Sequence, residues 1–414
     1  MATISGSQPL GHFLKSDRQW LAAGTLLTLL SSFGQTFFIS IFAAQIQGDF
    51  SLTHGSWGAI YGLGTAASAV VMIWAGGLTD RFRARSLGMI VLALLAGSCL
   101  LMAVNPYAAF LPIVIFALRL TGQGMTSHIA IVAMARWFVA TRGRALAVAT
   151  LGFSLGEAVL PLLFVALMAF LDWRVLWILA AAIALLGVPI LWRLLGEERT
   201  PQSMADENQS VGMKARHWTR TDTLGHPLFW FMVPALIGPA AFNTAFFFQQ
   251  VYFAEIKGWS HLSLVALFPI YTVVGIGAMI LSGIALDRFG TARLIPFFQL
   301  PMVVAFVTFA LAQSLAAAAI GFVFLALTTG ANSTLPNAFW AEFYGTRHIG
   351  AIKAMAAAVM VLGSAIGPGL TGGLIDLGVD LNVQYVCVAA YFLLATASMW
   401  IGIQRARNDL PLTA

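Results

Sequence analysis

Two full charges stand inside long apolar runs of this 414-residue chain. Arg119 lies in "PIVIFALRLTGQGM" (112–125) and Glu157 in "LGFSLGEAVLP" (151–161). An ionised group in hydrocarbon is costly, so each needs a partner, a proton or a job. The turn between their helices is centred near Phe138, 19 residues from each. Antiparallel helices of equal length return to equal depth. The spacing therefore predicts that Arg119 and Glu157 pair. The pair is either a proton- and substrate-sensitive couple or a fixed buried bridge. In the first case Glu157 takes up the proton and frees Arg119 for an anion.

Other polar residues in apolar surroundings suggest a lined path. Gln123 and Thr126 share a helical face with Arg119, whereas His128 falls on the opposite one and reads as a packing or hydrogen-bonding histidine. Gln35 with Thr36, Asn243 with Gln249 and Gln250, and Asn332 with Ser333 and Asn337 form three further groups. Asn243, Phe247 and Gln250 make one stripe, and Ser333, Asn337 and Trp340 another. Such groups face protein or a water-filled cavity. They either line a solute path or make interhelical hydrogen bonds, worth about 0.6 kcal/mol each. No phosphate loop follows a strand, no His, Cys or acidic cluster has metal spacing, and no Ser-His-Asp set can be assembled. No cofactor, no metal and no enzymatic activity are expected.

The elements that must position these residues follow from composition. The chain is 59% hydrophobic and 9% charged, against about 25% charged in soluble domains, which points to a polytopic membrane protein. Twelve apolar runs have spanning length, near 20–43, 57–78, 86–104, 108–132, 144–170, 174–194, 228–253, 262–285, 292–312, 315–339, 350–375 and 382–403. The expected fold is all-α: a six-helix bundle over 1–194, a polar linker over 195–226, and a second six-helix bundle over 227–414. The N-terminus is polar through Arg18 and lacks a small-residue cleavage site, so no removable signal peptide is expected. Cys99 and Cys387 both lie in apolar runs and form no disulfide framework.

Net charge is +6, but the basic residues sit in short loops and set membrane orientation instead of binding nucleic acid. Of 22 Lys and Arg, all but three fall on the side of the termini; Arg174 and Lys257 lie opposite, and Arg119 is inside a span. Both termini and the linker are therefore expected in the cytoplasm. The halves also repeat. A shift of 207 residues places Gly76, Asp80, Arg81 and Phe82 on Gly283, Asp287, Arg288 and Phe289, and Gly143, Gly156 and Pro161 on Gly350, Gly363 and Pro368. This is a parallel duplication of a six-span unit, as in secondary transporters. Gly152–Gly156 and Gly363–Gly367 are small-xxx-small pairs that let helices approach closely.

"GGLTDRFRAR" (76–85) and its copy "GIALDRFGTAR" (283–293) resemble the signature loop of the major facilitator superfamily, and "GSAIGPGLTGGLID" (363–376) resembles its Gly-Pro-rich helix. "ARWFVATRGRALAVATLGFSLGEAVLPLL" (135–163) is similar to the monocarboxylate and oxalate–formate transporter branch. The resemblance implies twelve helices in two bundles and a solute path between them, lined by spans one, four, seven and ten and opening alternately to each side. It implies that Asp80–Arg81 and Asp287–Arg288 are latches for the outward-open state. Gln35, Thr36, Arg119, Gln123, Asn243, Gln250, Asn332 and Asn337 become the solute-binding candidates, and Glu157 with Arg119 the proton-coupling ones. The expected function is proton symport of a small organic solute, a carboxylate. The alternative is proton-driven export of amphipathic drug-like compounds. The partners expected are a solute, protons and the lipid bilayer, with no nucleic acid, for a monomer in the plasma membrane (the inner membrane in a bacterium).

Overall fold

The computed structural model describes residues 10–138, 141–197, 211–345 and 347–410. Among these the chain is helical, with no strand. Ten helices are long and apolar enough to cross a membrane: His54–Ala75, Ala84–Val104, Ala108–Trp137, Gly143–Leu167, Trp173–Leu194, Pro227–Phe248, His261–Leu286, Leu315–Tyr344, Ala351–Asp376 and Leu381–Asp409. Arg18–Gly34 with Thr36–Phe50 forms a bent pair, and Leu300–Leu311 is a shorter apolar helix. With those two the spans number twelve, and we number them 1 to 12 in chain order.

The even spans start, apart from span 4, with a side-chain cap at the end farther from the termini. Thr53, Asp172, Ser260, Ser314 and Asp380 each accept a backbone N–H of the first turn. These are the residue types that satisfy orphan helix donors. Glycines decide which helices touch. A Cβ on Gly152 or Gly156 of span 5 would run into Thr25, Thr28 and Ser32 of span 1, and one on Gly363 or Gly367 of span 11 into Ile237 and Ala241 of span 7. Thr28 Oγ1 donates to the Ala149 carbonyl across the first of these seams.

The segment after span 6 is more than a polar loop. Its second part folds onto the C-terminal bundle at the face that carries the termini. Trp218 donates its backbone N–H to the Tyr344 carbonyl at 3.2 Å and packs edge-on against the Tyr344 ring. Met213 and Trp218 are buried there with Phe229, Phe339 and Met399. Two apolar side chains in a polar segment supplied the anchor.

Buried apolar side chains divide into two clusters. One runs through the N-terminal bundle and on into the far half of the C-terminal bundle, with Phe38, Trp177, Phe246 and Phe309 among its members. The other belongs to the C-terminal bundle alone, beside the termini. Hydrogen bonds and ring contacts join the two bundles from mid-span to the face opposite the termini. The bundles are thus closed together on the far face.

Candidate functional site

Span 1 is interrupted where the site forms. Gln35 adopts an extended ψ of 154°, and the two arms of the span diverge by 48°. The interruption exposes the Gly34 carbonyl, which accepts a hydrogen bond from Arg119 Nη1 at 3.2 Å. The same nitrogen lies 3.4 Å from Thr36 Oγ1, and Thr36 shares a 2.5 Å hydrogen bond with the Tyr61 hydroxyl. The guanidinium sits 5.4 Å from the centre of the Tyr61 ring. Two glycines make this approach possible. A Cβ on Gly34 would overlap the Leu118 carbonyl and Gly122, and one on Gly122 would overlap Gly34. Span 4 answers with a π-helical stretch, Arg119–Thr126, in which Thr126 Oγ1 donates to the Thr121 carbonyl five residues back. Such wide turns are frequent at functional sites.

Arg119 is 2% exposed, and its Nε is buried with no hydrogen-bond partner. Among the described residues, Arg119 and Glu157 form no ion pair, which corrects the expected pairing. Glu157 Oε2 instead accepts from Thr272 Oγ1 of span 8 at 3.3 Å. The physical reason lies in span 1. Ser32 packs on Gly156 of span 5, while Gly34 packs on Gly122 of span 4. Span 1 therefore wedges between the two helices at the depth where the charges would meet. Equal depth put them level but not adjacent. With Gly156 turned to span 1, Glu157 turns toward the other bundle.

Around Glu157 the C-terminal bundle presents polar groups. Tyr271 is 2% exposed and donates to Thr329 Oγ1 of span 10 at 3.2 Å. Asn243 of span 7 lies against the Tyr271 hydroxyl, and its Oδ1 is buried without a partner. The remaining candidates separate. Gln35 and Thr36 flank the break beside Arg119. Gln123 and Asn337 are exposed, and Asn337 spends its amide on the Ser333 carbonyl of its own helix at 2.8 Å. Asn332 is half-buried. The Ser333–Asn337–Trp340 stripe is not one face. The helix stops at Asn332 and restarts at Leu335, leaving Ser333 exposed and Trp340 buried in the core. Gln250 is fully buried, donating to Ser40 Oγ at 2.7 Å, and seals the far face instead of lining an open path.

The side chains of Asp80 and Asp287 lie outside the described residues. Arg81 and Arg288 are exposed, and Arg288 stands 5.5 Å over the Phe289 ring. Nearby, Arg136 Nη1 donates to the Thr79 carbonyl at 2.6 Å, tying the end of span 4 to the loop after span 2. Sequence reasoning passed over Tyr61, Tyr271 and Thr272. Their hydroxyls sit in apolar runs where nothing but the fold shows which neighbour they meet.

A family model, Major Facilitator Superfamily, matches residues 24–368. No curated protein matches the sequence. Among solved structures, the chain is similar to a bacterial homolog of the human lysosomal transporter Spinster, in an inward-facing and unoccupied conformation. That match has a TM-score of 0.75 at 16% identity, over 99% of this chain and 100% of that one. It is also similar to the nucleoside transporter NupG, with a TM-score of 0.69 at 14% identity, over 94% of this chain and 99% of that one.

Proposed function

The chain belongs to the Major Facilitator Superfamily and is a multi-pass membrane transporter, and from that premise we propose that it moves a small organic carboxylate together with a proton. The observation that carries this reading is Arg119, a buried guanidinium with an unpartnered Nε and, among the described residues, no carboxylate within ion-pair distance. A buried charge of this kind is costly unless something neutralises it. A carboxylate solute entering between the bundles would supply the missing counter-charge, and the Tyr61 and Thr36 hydroxyls would add neutral hydrogen bonds to it.

Glu157 is the proton carrier in this scheme. Its hydrogen-bond partner, Thr272, belongs to the opposite bundle, so the bond crosses a surface that must part in alternating access. Protonated, Glu157 is compatible with close contact between spans 5 and 8. Ionised, it favours a hydrated, separated interface. Proton and solute are then coupled through one conformational equilibrium, each biasing it by its differential affinity. The coupling needs no exchange of partners between Arg119 and Glu157. With both termini in the cytoplasm, the closed face is the outer one.

The test is a thermal-shift screen of the purified protein against mono- and dicarboxylates, nucleosides and amphipathic cations. A ligand at about 100 times its Kd stabilises the folded state by about 2.7 kcal/mol. Carboxylates should raise the Tm of the wild type and leave that of Arg119→Met unmoved. Stabilisation by amphipathic cations alone would favour an exporter and overturn the carboxylate reading.

A further inference from the structure

The face opposite the termini is held by contacts in which neither Arg119 nor Glu157 takes part. Asp376, at the end of span 11, accepts the Gly55 backbone N–H in the first turn of span 2 at 2.8 Å. A carboxylate there satisfies an orphan donor and faces the positive end of the helix dipole. Gln250, just past the end of span 7, donates to Ser40 Oγ at 2.7 Å and stands 3.4 Å from the Phe37 carbonyl, both in the outer arm of span 1. The His54 ring lies 4.4 Å from that of Tyr252. Beneath these contacts the backbones touch. A Cβ on Gly58 would run into the Pro368 carbonyl, and one on Gly62 into the Ala365 carbonyl.

We infer that this seam is the far-side gate of the transport cycle, locked by Asp376 on span 2 and by Gln250 on span 1. The lock is built to release. Gln250 is fully buried, yet its Oε1 has no partner. Closure therefore leaves the Gln250 Oε1 unsatisfied, a standing cost that water removes when the seam parts. The charged loops repeated in both halves lie at the other end of the spans. The far face uses one unrepeated carboxylate and one glutamine, since 207 residues before Asp376 the chain has Ala169. The inference rests on the alternating-access part of the proposed function and not on the identity of the solute.

Spin-label pairs at Tyr107 with Gln313 on the far face, and at Phe82 with Phe289 on the near face, placed in a Cys387→Ser background, would report both ends by pulsed EPR without solute. Asp376→Ala removes a helix-terminus carboxylate, an effect equivalent to about a two- to fivefold change in population. The expected result is that much more of the long far-face distance, with a matching rise in the short near-face distance. Gln250→Ala should move both in the same direction, and Asp376→Asn, which keeps an acceptor but loses the charge, should fall between. Asp376 is exposed, so its replacement should leave a folded chain. Wild-type distance distributions in Asp376→Ala would overturn the lock. A failed carboxylate screen would leave these distances, and this inference, untouched.

Discussion

At the scale of single residues, Arg119 and Glu157 ask for opposite experiments. An arginine held in a buried ion pair would cost about 3–5 kcal/mol to truncate, because its partner is left uncompensated. Arg119 instead hydrogen-bonds a carbonyl and a hydroxyl. Arg119→Met should therefore keep its melting temperature or raise it, while losing the response to carboxylates. A fall of several degrees would mean that the guanidinium is structural. Glu157→Gln keeps a group that can bond Thr272 but cannot exchange a proton. Proteoliposomes carrying it should retain solute exchange down no gradient and lose accumulation driven by an imposed pH gradient. Accumulation at the wild-type level would remove Glu157 from the coupling.

At the scale of elements, the break in span 1 and the widened turns of span 4 are one device. Each element accommodates the other through glycine: Gly34 against Gly122 at backbone contact. A methyl group has no room there, since the neighbouring atoms are backbone that cannot rotate away. Overpacking of this kind costs about 1–3 kcal/mol. Gly34→Ala should accordingly lower thermal stability by that amount and weaken carboxylate binding with it, because the carbonyl that orients Arg119 is displaced. A second element, the linker helix Arg220–Gly225, carries its own reporter. Thr219 and Asp222 form a reciprocal capping box, and the Thr219 hydroxyl and backbone N–H hold the Asp222 carboxyl below the usual carboxylate range. A depressed folded-state pKa contributes stability above the unfolded value of about 3.9 and loses it as pH falls through the folded one. Hydrogen exchange should find this helix less protected in acid, and Thr219→Ala, which removes the hydroxyl but keeps the backbone N–H, should weaken that pH dependence.

At the scale of the whole molecule, the face opposite the termini is closed by contacts between the two bundles. Its sidedness rests on the basic loops. Exposed Thr221 lies on the face of the termini and exposed Ser260 on the other. With Cys387 replaced and buried Cys99 left in place, an impermeant thiol reagent on intact cells should label Ser260→Cys and spare Thr221→Cys. The reverse pattern would turn the molecule over in the membrane and put the closed face in the cytoplasm.

The amino-acid sequence by itself determined the membrane-spanning, all-helical class, the positions of the spans and the repeat between the halves. Those properties are local or periodic: an apolar run of spanning length must be a helix in hydrocarbon, and a repeat is read at one offset. It also singled out Arg119 and Glu157, because an isolated charge in an apolar run is visible without a fold. Only the tertiary structure decided that they do not meet. Depth is one-dimensional and follows from counting residues, but adjacency depends on which helix lies between, and the wedge of Ser32 and Gly34 between spans 4 and 5 has no one-dimensional signature. The same holds for Gln250, whose polar side chain could equally have lined a path. Its burial against Ser40, like the reach of Asp376 to Gly55 across 321 residues, exists because the two bundles close on each other.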